Sequence, residues 1–330
     1  MTLEWILGRC DSLRAEVFLR AALPPDVDLA EARLTGTLTG PECSRAITLP
    51  VTAKLAAVQG GSEPAASRTV VARVILTEPS YWTPEMPNLY RLDAQVVAGG
   101  REVGSWHRMV GLRRFGVRVR SLWLDGRRYV PRGIVMPEVS VDPARCRAAA
   151  VAAMVADPSE ALLERCDAEG VAVLAVASDA ITGQPLDPEA VCDRVAHWNW
   201  HPAVMVAIVP RDLSPEAVRA IAAATRGTRG TVIVAREVDG SQPPPQPIDG
   251  IDALMLALRP SDVPHPAWRH ASPNLPLLAW CRSAEGATVP VVAPSRRPCD
   301  ALQASLAAWR TSAGSETVMQ EWAGYVVGTF

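Results

Sequence analysis

The chain has 330 residues, 33 Lys+Arg against 35 Asp+Glu, a formal net charge of −2 and 48% hydrophobic residues. This composition excludes a disordered chain, and the balanced charge excludes the basic excess of a dedicated nucleic-acid binder. The length is ample for a large core and points to two domains or one large one.

Residues 1–116 read as strands. Arg68–Leu76 and Leu89–Val97 are short, rich in Val, Leu and Tyr, and partly alternating. Turn clusters such as Gln59–Pro64 and Gly99–Gly100 separate them. Strands at roughly 8–12-residue spacing predict a β-sandwich. A hairpin follows, with Val117–Leu124 as its first strand, Asp125–Gly126 as its turn and Arg127–Val130 returning.

From there the pattern changes. Helical stretches at 143–150, 159–170, 187–198, 214–226 and 299–311 alternate with short apolar runs. The runs lie at 130–136, 152–155, 171–177, 204–209, 231–235, 251–258, 275–280 and 325–330. Apolar runs without polar alternation are what strands buried on both faces look like, and their alternation with helices predicts a parallel sheet. Eight of them fit a (β/α)₈ barrel, and no G-x-G-x-x-G supports a doubly wound alternative. The expected fold is therefore an immunoglobulin-like sandwich over 1–116 followed by a shortened TIM barrel over 117–330. Ser159 and Ser214 are placed as helix N-caps, and Gly170 sits where a left-handed C-terminal residue belongs.

Cys10, Cys43, Cys146, Cys166, Cys192, Cys281 and Cys299 are an odd, scattered set with no C-x-x-C pair, so reduced thiols in a cytoplasmic protein are expected. Met1–Cys10 has neither a basic region nor a long apolar one, so no signal peptide is expected. The most continuous small-apolar run, 148–156, falls far short of the ~20 residues that span a bilayer. His197-Trp-Asn-Trp-His201 carries two imidazoles at i, i+4, yet no third ligand is evident in the sequence and the cluster reads as packing. No cofactor and no metal are expected.

Three motifs carry a resemblance. Trp82-Thr-Pro-Glu-Met-Pro-Asn-Leu-Tyr90, Val110-Gly-Leu-Arg-Arg-Phe-Gly-Val117 and Leu122-Trp-Leu-Asp-Gly-Arg-Arg-Tyr-Val-Pro-Arg-Gly-Ile134 match W-x-P-x-x-P-x-L-Y, G-F-R-x-F and L-N-G-x-x-x-x-R-G-V in order and spacing. They resemble the sandwich-to-barrel junction of glycoside hydrolase family 2, the β-galactosidase and β-glucuronidase family. Leu163–Val171 is similar to the family's helix ending in C-D-E-x-G, and His201-Pro-Ala-Val204 to its H-P-S-V.

The resemblance implies retaining glycosidase chemistry, which needs two carboxylates about 5–5.5 Å apart at the C-terminal ends of barrel strands. Carried onto this chain, the family's Asn-Glu acid/base pair falls on Arg211-Asp212. The nucleophile position falls on Cys281, with Glu285 four residues on as the alternative. The family's N-R-H-E/D keeps only Glu138, its R-x-S-H-Y-P falls on Ala153–Pro158, and a sugar-stacking Trp falls on Gly328. Trp268, between His265 and His270, is the candidate exposed indole for a sugar face. The expected function is thus a family-2 homologue with a degenerate site, a pseudoenzyme or a carbohydrate-binding or interaction protein. An active β-glycosidase would have to use Asp212 with Glu285 or Cys281. A purely structural partner protein is the third class, and a protein partner or a homo-oligomer is compatible with the sequence.

Overall fold

A computed structural model describes residues 1–58, 68–178, 187–227, 232–246, 249–269, 275–282, 293–311 and 321–330. Its first part is two antiparallel sheets. One contains β1 (Leu3–Cys10), β2 (Arg14–Ala22), β5 (Ala56–Ala57) and β6 (Thr69–Thr77) in the order β1-β2-β6-β5. The other contains β3 (Arg33–Glu42), β4 (Val51–Lys54), β7 (Leu89–Ala98) and β8 (Arg101–Val110) in the order β4-β3-β7-β8. Alternation makes the core: Ala15, Val17, Leu19 and Ala21 of β2 are buried, as are Ala72, Val74 and Leu76 of β6, while intervening residues face outward. They meet Leu34 and Leu38 of β3 and Leu92, Ala94 and Val96 of β7 in one cluster.

A small sheet comes next, with β9 (Phe115–Arg118), β10 (Ser121–Leu124) and β11 (Arg127–Tyr129) in the order β11-β10-β9. The Asp125–Gly126 turn lies where expected, and both residues have positive φ, 48° and 77°, as a two-residue hairpin turn requires. The single strand expected over 117–124 is instead two. Val119 takes φ 55°, a conformation that β-branched residues rarely adopt, and the chain folds back there so that Ser121 faces Arg118.

The remainder closes as a barrel of eight parallel strands. These are β12 (Arg132–Val135), β13 (Ala152–Ala156), β14 (Val173–Val176), β15 (Val204–Val209), β16 (Ile233–Asp239), β17 (Ala253–Leu258), β18 (Leu277–Cys281) and β19 (Trp322–Val327). Every apolar run read as a strand contributes one. Around them lie α1 (Pro143–Ala148), α2 (Glu160–Glu169), α3 (Pro188–Trp198), α4 (Pro215–Gly227) and α5 (Arg297–Thr311). Among the described residues no α-helix joins β16 to β17, and only a 3₁₀ turn, Pro266–Arg269, lies between β17 and β18. Ser159 caps α2 by accepting from Leu162 N, and Gly170 ends it at φ 73°.

Buried side chains of β12–β19 and the helices form the second, larger core cluster, which also takes in Trp82, Leu89 and Phe115. The barrel axis is narrow: a Cβ on Gly133 would lie 2.9 Å from Val326 and 3.0 Å from Leu174. Those contacts fix Gly133, Val326 and Leu174 as inward-facing, and strand alternation assigns the rest.

The sequence motifs lie at the seam between sandwich and barrel. Trp82 is fully buried and its Nε1 donates to the backbone oxygen of Asp167 in α2 at 2.9 Å. Arg113 is buried too. Its guanidinium donates to the carbonyl oxygens of Pro202 and Val204 and lies 5.5 Å from the Phe115 ring. Burial pulls its pKa down to about 9, with the charge of Asp167 acting against the shift. Gly170 packs so tightly against this seam that a Cβ there would lie 2.4 Å from the Pro84 oxygen. These residue types are therefore explained by docking one layer on the other, without any catalytic role.

Candidate functional site

In a parallel barrel, side chains at the C-terminal ends of the strands converge on one mouth. Near that end stand Glu138 after β12, Asp157 after β13 and Arg211 and Asp212 after β15, while alternation turns Glu237 and Asp239 of β16 and Trp280 and Arg282 at the end of β18 inward.

Glu237 is the buried carboxyl of the mouth, 6% exposed. Its Oε1 accepts a charge-assisted bond from the Arg282 guanidinium. Reaching from β16 past β17 to the end of β18 requires both side chains to point into the barrel. Burial pushes the Glu237 carboxyl up. Arg282 and Arg211 oppose the shift, and the charges of Asp212 and Asp239 reinforce it. The Arg282 guanidinium also lies over the Trp280 ring at 4.3 Å, and Trp280 Nε1 donates to the Gly328 oxygen at 2.8 Å. Phe330 meets the same indole edge-on at 5.9 Å. A guanidinium, a carboxylate and an indole thus occupy the centre of the mouth, each with partners inside the protein.

The residues singled out from the sequence are placed less centrally. Asp212 is exposed and follows β15 on a loop. Arg211 is exposed beside it: its guanidinium is 3.9 Å from Asp239, and its backbone oxygen accepts from Arg236 at 3.1 Å. Cys281 is half-buried and lies between Trp280 and Arg282, both of which face inward, so alternation turns its thiol to the opposite side of β18. Burial, with Asp262, pushes that thiol up. Glu285 lies outside the described residues. Glu138 accepts from Ser159 N at 3.1 Å and from the Ser159 hydroxyl, so it secures the start of α2.

One expectation is corrected. Trp268 is not an exposed indole: the turn Pro266–Arg269 folds it under the chain, where it is 2% exposed and donates to Gln242 O at 2.8 Å. A ring of that size loses more by facing water than a loop gains by displaying it. Trp123 is half-buried, with Arg118 lying over it at 5.0 Å. Gly328, at the position of the family's sugar-stacking Trp, has φ 122° and would place a Cβ 2.9 Å from that of Val135. No aromatic side chain fits there, and the indole of the mouth comes from Trp280 instead.

Glu237, Arg282 and Asp157 were missed in the sequence. Asp157 accepts from Arg194 at 2.6 Å and from Ser178 N at 3.2 Å, bracing the ends of β13 and β14. The signal for Glu237 was its place in Arg236-Glu-Val-Asp239. Charges alternate there at the end of an apolar run, as they do where a strand leaves a core for water.

Among the described residues one set of side chains could hold a metal ion: Glu160, His197 and His201, whose ligand atoms all lie within 4.8 Å of one another. The sequence offered the two imidazoles and no third ligand. The fold supplies it from α2.

Comparison with known proteins agrees with this architecture. Residues 20–113 match the family model described as Glycosyl hydrolases family 2. Among solved structures, the chain is similar to a Bacteroides uniformis β-glucuronidase, with a TM-score of 0.64 and 13% identity over 98% of this chain and 45% of that one. It is similar to a glycosyl hydrolase family 2 member from Bacteroides cellulosilyticus, with a TM-score of 0.61 and 15% identity over 99% and 45%. A Bifidobacterium dentium β-glucuronidase complexed with coumarin-3-O-glucuronide matches with a TM-score of 0.60 and 12% identity over 98% and 59%. The chain therefore spans about half the length of these structures. A comparison with curated proteins returns no match. The family resemblance read from the sequence is borne out, and so is the sandwich-plus-barrel fold.

Proposed function

We propose that this chain is a family-2 glycoside hydrolase homologue that no longer turns over glycosides and acts as a carbohydrate-binding or interaction module. The observation that carries the reading is the mouth itself. Its inward-facing buried carboxyl, Glu237, is bonded to Arg282, and that guanidinium is stacked on Trp280. The guanidinium holds Oε1 and favours the ionised form of this carboxyl, which works against its protonating a leaving group. At the acid/base position, Asp212 is exposed and one methylene short of a glutamate, and ~1 Å of misplacement can cost two orders of magnitude in rate. The Cys281 thiol, raised by burial, is a poor source of thiolate at neutral pH. Arg211, which is exposed, and Arg282, which is partly so, remain suited to hydrogen bonding a sugar. Ile47, Leu49 and Val51 stand exposed at and before the edge strand β4, which supports the interaction part of the reading.

The division into a sandwich over 1–116 and a barrel over 117–330 is part of the proposal, supported by the two separate core clusters. So is a cytoplasmic location. All seven cysteines are free, as a reducing compartment requires. Among the described residues no helix is long and apolar enough to cross a membrane.

One observation favours the competing reading of an active β-glycosidase. Glu237 is a carboxyl raised by burial, with Asp212 close enough to influence it, and raised carboxyls serve as general acids. A panel of chromogenic β-galactosides and β-glucuronides separates the two. The proposal expects no release above buffer, together with saturable stabilisation by a monosaccharide in a thermal-shift screen. Hydrolysis that disappears in Asp212→Ala or Glu237→Gln would overturn it.

A further inference from the structure

We propose that Glu160, His197 and His201 form a binding site for a divalent cation of the zinc type, where Arg108 of β8 meets the barrel helices. The site is built from three elements. Glu160 opens α2, His197 lies in the last turn of α3, and His201 stands in the turn before β15. One carboxylate oxygen, Glu160 Oε2, lies 2.5 Å from His197 Nε2 and 3.3 Å from His201 Nε2. Tetrahedral bonds of 2.0–2.1 Å set neighbouring ligand atoms about 3.3 Å apart, so a small shift of the His197 ring opens the space for an ion.

The surroundings orient each ligand. His201 is buried, and its Nδ1 lies 2.7 Å from Asp167 Oδ2, while the other Asp167 oxygen accepts from Ala203 N at 2.8 Å. A proton on Nδ1 shared with Asp167 leaves Nε2 with its lone pair directed at Glu160 Oε2. Both atoms are buried, and neither makes a well-directed hydrogen bond, although the His197 ring lies close to Oε2. Two lone-pair atoms facing each other in a buried place need a proton or a metal cation between them, and a carboxylate–histidine pair behind the ring is the arrangement that holds a metal-ligating imidazole. The second Glu160 oxygen accepts from Arg108 of β8 at 2.6 Å. A dication would therefore sit among two carboxylates and one guanidinium, a nearly balanced set. Two imidazole nitrogens with one carboxylate oxygen suit zinc better than the all-oxygen preference of calcium or magnesium. His197 is partly open to water, which leaves room for a solvent ligand in the fourth position. The ion would join α2, α3 and β15 and, through Arg108, the sandwich as well.

The test uses the full chain stripped with EDTA and titrated with ZnCl2, followed by calorimetry and thermal denaturation. Expected are one saturable equivalent and a raised Tm. Zinc K-edge absorption is expected to show nitrogen and oxygen neighbours at about 2.0 Å and no sulfur. His197→Ala and Glu160→Gln, both at partly exposed positions, should weaken binding at least about tenfold. Cys43→Ser and His107→Ala, at unrelated sites, should leave it unchanged. Uptake that survives His197→Ala and Glu160→Gln, or a shell containing sulfur, would place the metal on the cysteines and overturn the proposal. Absence of saturable uptake would show that a proton, and not a metal, sits between Glu160 and His201.

Discussion

Replacing Arg282 by methionine would leave Glu237 buried without the guanidinium it bonds. Breaking a fully buried ion pair by removing one partner costs about 3–5 kcal/mol. The Arg282 side chain is 35% exposed against 8% for Glu237, so water already screens one end of the pair. A loss of about 2–3 kcal/mol at pH 7 is the discounted expectation. For a barrel of this size that corresponds to a Tm lower by about 4–10 °C. The effect must depend on pH. Burial already raises the Glu237 carboxyl above its ordinary value of 4.5, and Arg282 is the largest force opposing the rise. A raised folded-state pKa means that the protonated carboxyl favours the folded state. That contribution is complete below the unfolded value and is lost as pH climbs through the folded one. Without Arg282 the folded value moves further up, so Arg282→Met should cost most at pH 7 and much less at pH 5. The double variant Glu237→Gln/Arg282→Met, which buries no charge, should recover most of the stability. Circular dichroism melts at the two pH values read all three variants. Equal losses at pH 5 and pH 7, or a double variant as unstable as the single one, would refute the assignment of Glu237 and Arg282 as a coupled pair plugging the mouth.

Other consequences are sharper in sign than in size. Gly170→Ala forces a side chain into a left-handed conformation and onto the Pro84 oxygen, so denaturant melts should show about 2–4 kcal/mol lost. Arg113→Met leaves the Pro202 and Val204 carbonyls without their donor at the seam, and about 2–4 kcal/mol is expected, with the loss unaffected by added sugars. Cys281 should react with iodoacetamide at pH 7.5 more slowly than a free thiol does, since burial keeps it protonated; labelling faster than free cysteine would mean an activated thiolate. Trp268→Ala should cost about 3–5 kcal/mol of stability in denaturant melts through a core cavity, without altering sugar binding.

Much of the fold was legible because burial on both faces leaves an unambiguous mark. Runs such as Val204–Val209 and Ala253–Leu258 are buried throughout, and nothing but a central parallel strand reads that way. Alternation failed at strand ends. The fifth barrel strand runs on to Asp239, beyond the expected Ala235, because its last residues are charged where it meets the mouth. That error left Glu237, two residues past the expected end, outside the strand. The break at Val119 was invisible because a valine with positive φ contradicts its own local preference. The Glu160 ligand was hidden for another reason: it lies on a different helix from His197, and only the closed fold brings the two side chains together. The motif residues Trp82, Arg113 and Gly170 were found through their spacing, and their work is in the seam rather than in the mouth. A strong family signature at the junction therefore says little about chemistry at the opposite end of the strands.

The central claim is that no group at the mouth serves as a glycosidic nucleophile. Its most direct test is intact-mass spectrometry of the full chain after prolonged incubation with a cyclophellitol-type aziridine, which forms a covalent bond with a competent nucleophile. The account predicts an unchanged protein mass at pH 5 and at pH 7. A single stoichiometric adduct, mapped by peptide sequencing to Cys281, Glu237 or Glu285, would contradict it.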